Sequence, residues 1–366
     1  MNQLDLKLID GFSISSISSG IRKSDKNDLV LVLFKHPTIV AGCFTKNGFA
    51  AAPVIICKER IKNFLTPSFG AFIINSGCAN AGTGKQGIRD CQEMTKTLSS
   101  KLNLSSEKIL PFSTGPIMER LPIEKIKNKS ELLISSLGKS NWLDAALAMM
   151  TTDTVPKGCS RVILIQDKKV TITGIAKGSG MICPNMATML AFLVTDINLS
   201  AKDLKQLTDY ATENFFNRIS VDGDTSTNDS VIAAANGLSG ITVNSTDKKL
   251  EKDWFVFKTA FLEVCEQLAK SIVFDGEGAT KFITIKTINA GSDDETKMIG
   301  SAIANSPLVK TAFFACDPNL GRILAAIGNA GIVGLKVEDV DLKINGYTVF
   351  EKGELSKKYN EDMAKQ

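Results

Sequence analysis

One stretch of the 366-residue chain combines the residue types needed for acyl chemistry. Residues 177–195 read Lys-Gly-Ser-Gly-Met-Ile-Cys-Pro-Asn-Met-Ala-Thr-Met-Leu-Ala-Phe-Leu-Val-Thr, a glycine-rich turn running through Pro184-Asn185 to Thr188 and then into an apolar run. The chain contains a single histidine, His36. Without a histidine to take its proton, a hydroxyl nucleophile needs another base. A threonine acquires one when the peptide bond before it is cut, because its own α-amine is then free. That amine has an unperturbed pKa of about 7.7–8.0, well matched to proton transfer near neutral pH. The same stretch also reads more simply, as a loop entering a buried strand or helix with Thr188 as its cap.

The elements that would position such a group are short. Apolar runs bounded by turn residues at Leu29–Phe34, Val54–Cys57, Ala71–Ile74, Arg161–Ile165 and Val170–Ile175 predict strands. Ser200 is placed to cap a helix whose inner face carries Leu204, Leu207, Ala211 and Phe215. Trp254, Phe257, Phe261, Val264, Leu268 and Ile272 recur at spacings of three and four, which predicts a second helix with a core-facing stripe. Strands and helices in mixed order place the chain in the α/β or α+β class. Residues 282–350 read as strand, helix, strand, helix, strand, and the expected division is a main catalytic domain over 1–280 and a smaller α/β C-terminal domain over 281–366. The sequence shows no internal repeat and no low-complexity linker.

Composition narrows the function classes. The chain is 43% hydrophobic and 22% charged, the balance of a globular protein. Its net charge of +4, from 43 basic and 39 acidic residues, is too small and too dispersed to indicate nucleic-acid binding. The N-terminus lacks an apolar core of signal-peptide length, and the longest apolar runs, such as Leu29–Phe34 and Met189–Val194, are six residues, far short of a membrane span. A cytoplasmic location is expected. The eight cysteines form no C-x-x-C pair and, with one histidine, no metal-ligand cluster, so they read as reduced thiols.

Other segments carry weaker chemical signals. Gly82-Thr-Gly-Lys-Gln-Gly87 superficially resembles a phosphate loop, but it lacks the glycine five positions before Gly84, and Gln86 stands where a magnesium-binding Ser or Thr would be. Asn75 to Gly84 reads instead as a tight turn supporting an active centre. Ser113-Thr114-Gly115-Pro116 follows a predicted strand. It is either a plain strand-to-loop turn or, with a hydroxyl beside an unobstructed amide, a pair of oxyanion donors. Lys177 and Glu277 are solvated surface charges or contacts for an amino-acid substrate, the lysine for its carboxylate and the glutamate for its ammonium group. Asp222 and Asp224 lack the remaining ligands of a calcium loop and read as turn carboxylates capping backbone amides.

Lys177–Leu190, KGSGMICPNMATML, resembles the signature of the ornithine acetyltransferase (bifunctional glutamate N-acetyltransferase) family. Similar segments follow in family order at Asn75–Gly82, Ser113–Gly115, Thr151–Thr154, Ser220–Asn228, Asp275–Lys281 and Asp317–Arg322. The resemblance covers about residues 8–350. It implies sheets sandwiched between helix layers, with a smaller C-terminal domain. It also implies an N-terminal-nucleophile acyltransferase of arginine biosynthesis, self-cleaved between Ala187 and Thr188 and assembled as a heterotetramer of two α and two β fragments. Acetyl would pass from N2-acetyl-L-ornithine to L-glutamate through an acetyl-threonine, with no metal or redox cofactor. Some members also accept acetyl-CoA, and these motifs do not separate the two classes.

Carried over by residue, the resemblance implies Thr188 as nucleophile, Thr114 and Gly115 as the oxyanion hole, and Thr151, Lys177, Thr188 and Glu277 as substrate contacts; Thr152 competes with Thr151 on spacing. Leu320 stands where the family often has Trp. The family also continues beyond the position of Gln366, to an Asn and a terminal Ser or Thr that close over the substrate, and nothing here matches them, so the C-terminal domain is expected to be incomplete. The alternatives are an amidase or aminopeptidase using the same self-cleaved threonine, and a non-catalytic relative.

Overall fold

The structure is a computed structural model and describes residues 4–63, 69–183 and 189–362. The chain divides into two compact units, Met1–Glu277 and Gly278–Gln366.

In the first unit the elements run β1 (Phe12–Ile17), β2 (Leu29–Phe44), α1 (Ala52–Asn63), β3 (Phe69–Ser76), α2 (Gly84–Leu102), β4 (Ile109–Thr114), α3 (Ile123–Ser135), α4 (Trp142–Met149), β5 (Lys157–Ile165), β6 (Lys168–Lys177), β7 (Leu190–Thr195), α5 (Ala201–Asn214), β8 (Ser230–Ala235) and α6 (Glu251–Phe274). One ladder links the strands in the order β4-β3-β2-β8-β7-β6-β5, with β1 also paired to β2. The 16-residue β2 belongs to two layers. Its first half pairs with β1 and β3, its register shifts between Leu33 and Thr38, and its second half pairs with β8. His36 is exposed at this irregularity.

The two layers face each other across an apolar core. From one side come Phe12, Val30, Val32, Phe34, Phe72, Ile74, Leu110 and Phe112; from the other come Ile175, Leu190, Phe192, Val194, Ile232 and Ala234. Phe192 of β7 lies 4.9 Å from the Phe112 ring, nearly perpendicular to it, and 5.5 Å from Phe72. Alternation along each strand sends the intervening residues outward. On the first layer Leu29, Leu31, Ala71, Ile73 and Ile109 meet α1, α2 and α3. On the second, Val170, Ile172, Ala191, Leu193, Val231 and Ala233 meet α5 and α6. The architecture is two sheet layers between two helix layers, a mixed α/β fold.

The two predicted helices form as the sequence indicates. The Ser200 side chain caps α5 by accepting the Asp203 amide at 3.0 Å, and the stripe from Phe257 to Ile272 is buried along α6. The predicted strands at 29–34, 71–74, 161–165 and 170–175 lie within β2, β3, β5 and β6. Val54–Cys57 is a correction: it lies in α1, with Val54 and Cys57 buried and Ile55 exposed. A four-residue apolar run fits a buried helix turn as well as a strand, and Pro53 in the first turn suits a helix start.

The second unit also departs from expectation. Residues 282–289 form no strand. They are followed by three helices, α7 (Asp293–Ala304), α8 (Pro307–Phe314) and α9 (Leu320–Gly328), and then by a small antiparallel sheet of β9 (Leu342–Ile344), β10 (Tyr347–Glu351) and β11 (Glu354–Leu355). Among the described residues no helix is long and apolar enough to cross a membrane.

Candidate active site

Within the first unit, register brings the strand ends that carry Lys177, Leu190, Ser230 and Ser113-Thr114 to one end of the sandwich. In the second layer Lys177 lies opposite Leu190, and Leu190 lies beside Ser230. In the first layer β3 and β4 end together at Ser76 and Thr114. Alternation then fixes the faces. Lys177 follows Ile175 by two residues and Thr114 follows Phe112 by two, so both extend the faces that fill the inter-sheet core.

Side chains preceding β8 tie the two layers together. Asn228 donates through Nδ2 to the Ser113 carbonyl at 2.8 Å and to the Ala79 carbonyl at 2.7 Å. Its neighbour Asp229 accepts the Met189 amide on Oδ1 at 2.6 Å, and the Ser230 amide donates to the Met189 carbonyl at 2.9 Å. Met189 is bonded directly to Thr188. Thr188 and Ala187 themselves lie outside the described residues. Met189 is thus linked through the Asn228–Asp229 pair to Ser113, the residue before Thr114.

Those donors sit on a tightly specified turn. The Ser113 hydroxyl donates to Asn75 Oδ1 at 2.6 Å, Asn75 Nδ2 donates to the Cys78 carbonyl at 2.9 Å, and the Cys78 amide donates to the Thr114 carbonyl at 3.1 Å. The Ala79 amide reaches the Pro116 carbonyl at 3.0 Å. Gly115 has φ +140°, and a Cβ there would lie 2.4 Å from the Cys78 nitrogen, so only glycine fits. Thr114 is buried, and its hydroxyl makes no hydrogen bond among the described residues.

On the other side of Met189 the site is charged. Lys157 Nζ bridges Asp153 at 2.6 Å and Asp275 at 2.5 Å, with all three side chains at most 4% exposed. Asp153 also accepts the Gly178 amide at 2.6 Å and the Thr151 amide at 2.9 Å. Asp275 accepts the Thr154 amide and hydroxyl. Burial by itself would raise the Asp153 carboxyl, but the Lys177 and Lys157 ammonium groups outweigh it and hold the carboxyl below the usual range. Asp275 is held down in the same way, burial being outweighed by its bonds to Lys157 and Thr154. Lys177 is 5% exposed. Burial pushes its ammonium group below the usual lysine value despite the pull of Asp153 and Asp229. Burial drives the Asp229 carboxyl well above its usual value, and its Oδ2 has no hydrogen-bond partner.

Of the remaining predicted contacts, Glu277 and Thr152 lie against the segment that follows Lys177. The Glu277 amide donates to the Ser179 carbonyl at 2.7 Å, and its exposed carboxylate lies against Gly180, where a Cβ would come within 2.3 Å of Oε2. The Thr152 hydroxyl is 2.7 Å from the Ser179 hydroxyl, whereas Thr151 is anchored through its amide and keeps a hydroxyl without a hydrogen bond among the described residues. Asp222 caps the amides of Met181 and Ile182, as a turn carboxylate should; Asp224 contributes only its amide to that turn.

The sequence reading did not single out Asp153, Lys157, Asn228 or Asp229. The available signal was their adjacency to Thr151-Thr152 and to Ser230 at the head of a strand. Burial raises the thiols of Cys43 and Cys91 to about 12, and lifts those of Cys57, Cys78, Cys159 and Cys265 as well, which fits unreactive packing thiols.

Comparison with known proteins shows the family. The sequence profile of the ArgJ family matches residues 13–366. The chain belongs to the ArgJ family. The arginine biosynthesis bifunctional protein ArgJ of Colwellia psychrerythraea (strain 34H) is 44% identical over 368 residues, covering 97% of this chain and 86% of that protein. The protein of the same name from Pseudomonas fluorescens (strain Pf0-1) is 41% identical over 354 residues, covering 96% and 86%. Among solved structures, ArgJ from Bacillus halodurans is 33% identical with a TM-score of 0.44, covering 49% of this chain and 92% of that one. The ornithine acetyltransferase from Mycobacterium tuberculosis, solved with ornithine, is 31% identical with a TM-score of 0.44, covering 48% and 92%. This ArgJ-family chain is an acyltransferase of arginine biosynthesis that acts on small molecules.

Proposed function

We propose that the chain cuts itself between Ala187 and Thr188 and then moves an acetyl group from N2-acetyl-L-ornithine to L-glutamate in two half-reactions. The freed Thr188 amine takes the proton of the Thr188 hydroxyl, directly or through a water, and the hydroxyl attacks the acetyl carbonyl. Thr114 and Gly115 donate to the oxyanion that develops. Ornithine leaves, and glutamate takes the acetyl group from the threonine ester. Thr151, Lys177 and Glu277 recognise the amino acid, the lysine by its carboxylate and the glutamate by its ammonium group. The working assembly in this reading is a cytoplasmic heterotetramer of two α and two β fragments.

The observation that carries the reading is the pair of adjacent residues before β8. Asn228 holds the Ser113 carbonyl and Asp229 holds the Met189 amide, so one short segment fixes the oxyanion donors and the chain beside Thr188 in a common frame. Reaction geometry demands such a frame, because donors act only where the charge appears.

The test is mass spectrometry of the purified chain together with a transfer assay that separates products. Cutting after Ala187 gives fragments of 187 and 179 residues. Thr188→Ala should remain a single chain and transfer nothing. An intact wild-type chain with normal turnover defeats the amine-base mechanism. Free acetate without N-acetylglutamate would identify a hydrolase instead.

A further inference from the structure

Two buried lysines stand at one end of adjacent strands and are held in opposite ways. Lys157 opens β5 opposite Ala176, and Lys177 follows Ala176 at the end of β6. Lys157 shares the face of Cys159 and Ala176, which meets α6, whereas Lys177 extends the inter-sheet face. Lys157 Nζ reaches Asp153 Oδ1 at 2.6 Å, Asp275 Oδ2 at 2.5 Å and the Val155 carbonyl at 3.4 Å. Those bonds use the three donors of an ammonium group, so Lys157 has none left for a ligand. Lys177 is 5% exposed, and among the described residues it makes no hydrogen bond and no ion pair. A buried cation without a partner is costly, and an anion that reaches it removes that cost.

We propose that Lys157 is a positioning residue for substrate recognition: by holding Asp153 and Asp275, it leaves the Lys177 ammonium group to receive the carboxylate of the amino acid. The inference rests on the reading that Lys177 is the carboxylate contact. Asp153 is the link between the two lysines. It accepts Lys157 Nζ, and it also accepts the amide of Gly178, the residue after Lys177. Its charge attracts the Lys177 ammonium group. Asp275 accepts the Thr154 amide and hydroxyl, and two residues later the Glu277 amide donates to the Ser179 carbonyl.

Charge balance gives Lys157 its effect. Its cation offsets one of the two carboxylates, and Lys177 offsets the other. Asp229 adds little to the negative side, because burial favours its neutral form. Without Lys157 the cluster carries an excess of negative charge. An incoming carboxylate would then be repelled in a place where water screens poorly, and Lys177 would serve Asp153 rather than the substrate.

The test compares KM for N2-acetyl-L-ornithine and for its carboxamide, which lacks the negative charge, using full-length protein shown to be folded by circular dichroism. KM does not depend on the fraction of active molecules, so a less stable variant can still be read. Lys157→Met should raise KM for the acid by about 10–100-fold, the scale of a hydrogen bond to a charged group, and leave KM for the carboxamide near the wild-type value. The double variant Lys157→Met/Asp153→Asn removes one charge of each sign and should recover most of the preference for the acid. A lysine that only props the fold would not give that recovery. Lys157→Met with the wild-type preference overturns the proposal, as does a double variant no better than the single one. If Lys157→Met does not fold, Lys157→Gln, which keeps a donor but not the charge, takes its place with the same expected and overturning results. A wild-type enzyme indifferent to the carboxylate, or a Lys177→Met enzyme that still prefers it, removes the reading of Lys177 as well. Preference lost in Lys177→Met but kept in Lys157→Met removes Lys157 alone.

Discussion

The two flanks of the candidate site are built from opposite materials. The flank that carries Thr114 is neutral: Asn75, Ser113, Asn228 and a run of backbone amides and carbonyls hold one another at hydrogen-bond distance. The flank that carries Lys177 is ionic, with Asp153, Lys157, Asp275 and Asp229 all buried. Each suits the task that the proposed mechanism gives it. Fixed neutral dipoles can stabilise a transient negative charge without a permanent charge that would also bind the ground state. Buried ions shift one another's proton affinity and set a fixed pattern of charge, which the proposed recognition of a charged amino acid would use.

The contrast predicts a graded set of responses. The largest belongs to the ionic flank. Lys157→Met leaves two buried carboxylates without their shared cation, and such a loss costs about 3–5 kcal/mol of folding stability, measurable by urea unfolding. Acid should act on the same groups. Asp153 and Asp275 have depressed folded values, so their contribution is complete above the ordinary aspartate value of about 3.9 and is lost as pH falls through the folded ones. Lys157→Met should flatten that acid-side loss; an unchanged profile would mean that the network does not link stability to pH.

On the neutral flank, Thr114→Val should cost rate rather than stability. Removing one oxyanion donor slows reaction by about 10²–10³-fold, or roughly 2.7–4 kcal/mol of barrier. Burst measurements of acetyl-threonine formation check this, and a wild-type burst rate eliminates Thr114. Asn228→Ala removes two buried bonds between the layers and leaves two carbonyls unsatisfied. It should cost about 1–3 kcal/mol of stability and slow acetylation together, whereas stability lost at unchanged rate would make Asn228 a structural tie only. Glu277→Gln should have the smallest effect on the fold, within about 0.5 kcal/mol because the side chain is exposed, while raising KM for the amino acid. Equal KM values for the two proteins would place Glu277 outside the substrate contacts.

What the sequence revealed differs between the flanks for the same physical reason. The residues of the neutral flank are marked locally, although their bonds span 38 positions from Asn75 to Ser113 and 115 from Ser113 to Asn228: Asn75, Cys78, Thr114 and Gly115 lie inside recognisable segments, and a glycine beside a strand end is visible without a structure. The ionic flank depends on distant pairing. Lys157 and Asp275 are 118 positions apart, and nothing in either local sequence marks those charges as buried. Periodicity located α5 and α6 because each spans several turns with one consistent face. It failed at Val54–Cys57, where four apolar residues are too few to distinguish a period of 3.6 from one of 2. It failed again over 282–350, where the alternating residues at 282–289 acquire no ladder partner, and three helices precede the only strands.

The strand order gives a break after residue 187 a mechanical meaning. β7 and β8, both on the C-terminal side of that break, are inserted between β2 and β6, both on its N-terminal side. The downstream piece is therefore gripped along both edges by the upstream piece, through β2–β8 on one side and β6–β7 on the other. Severing the backbone there would not separate the halves. It would instead turn a single thread into an interleaved pair, released only by dismantling the middle of the sheet. Such a joint is made once, while the chain is still continuous and its ends close cheaply on each other. Pieces separated in denaturant would have to find one another as a bimolecular reaction, so recovery of the wild-type fold from them would depend on concentration in a way that folding of the uncut chain does not.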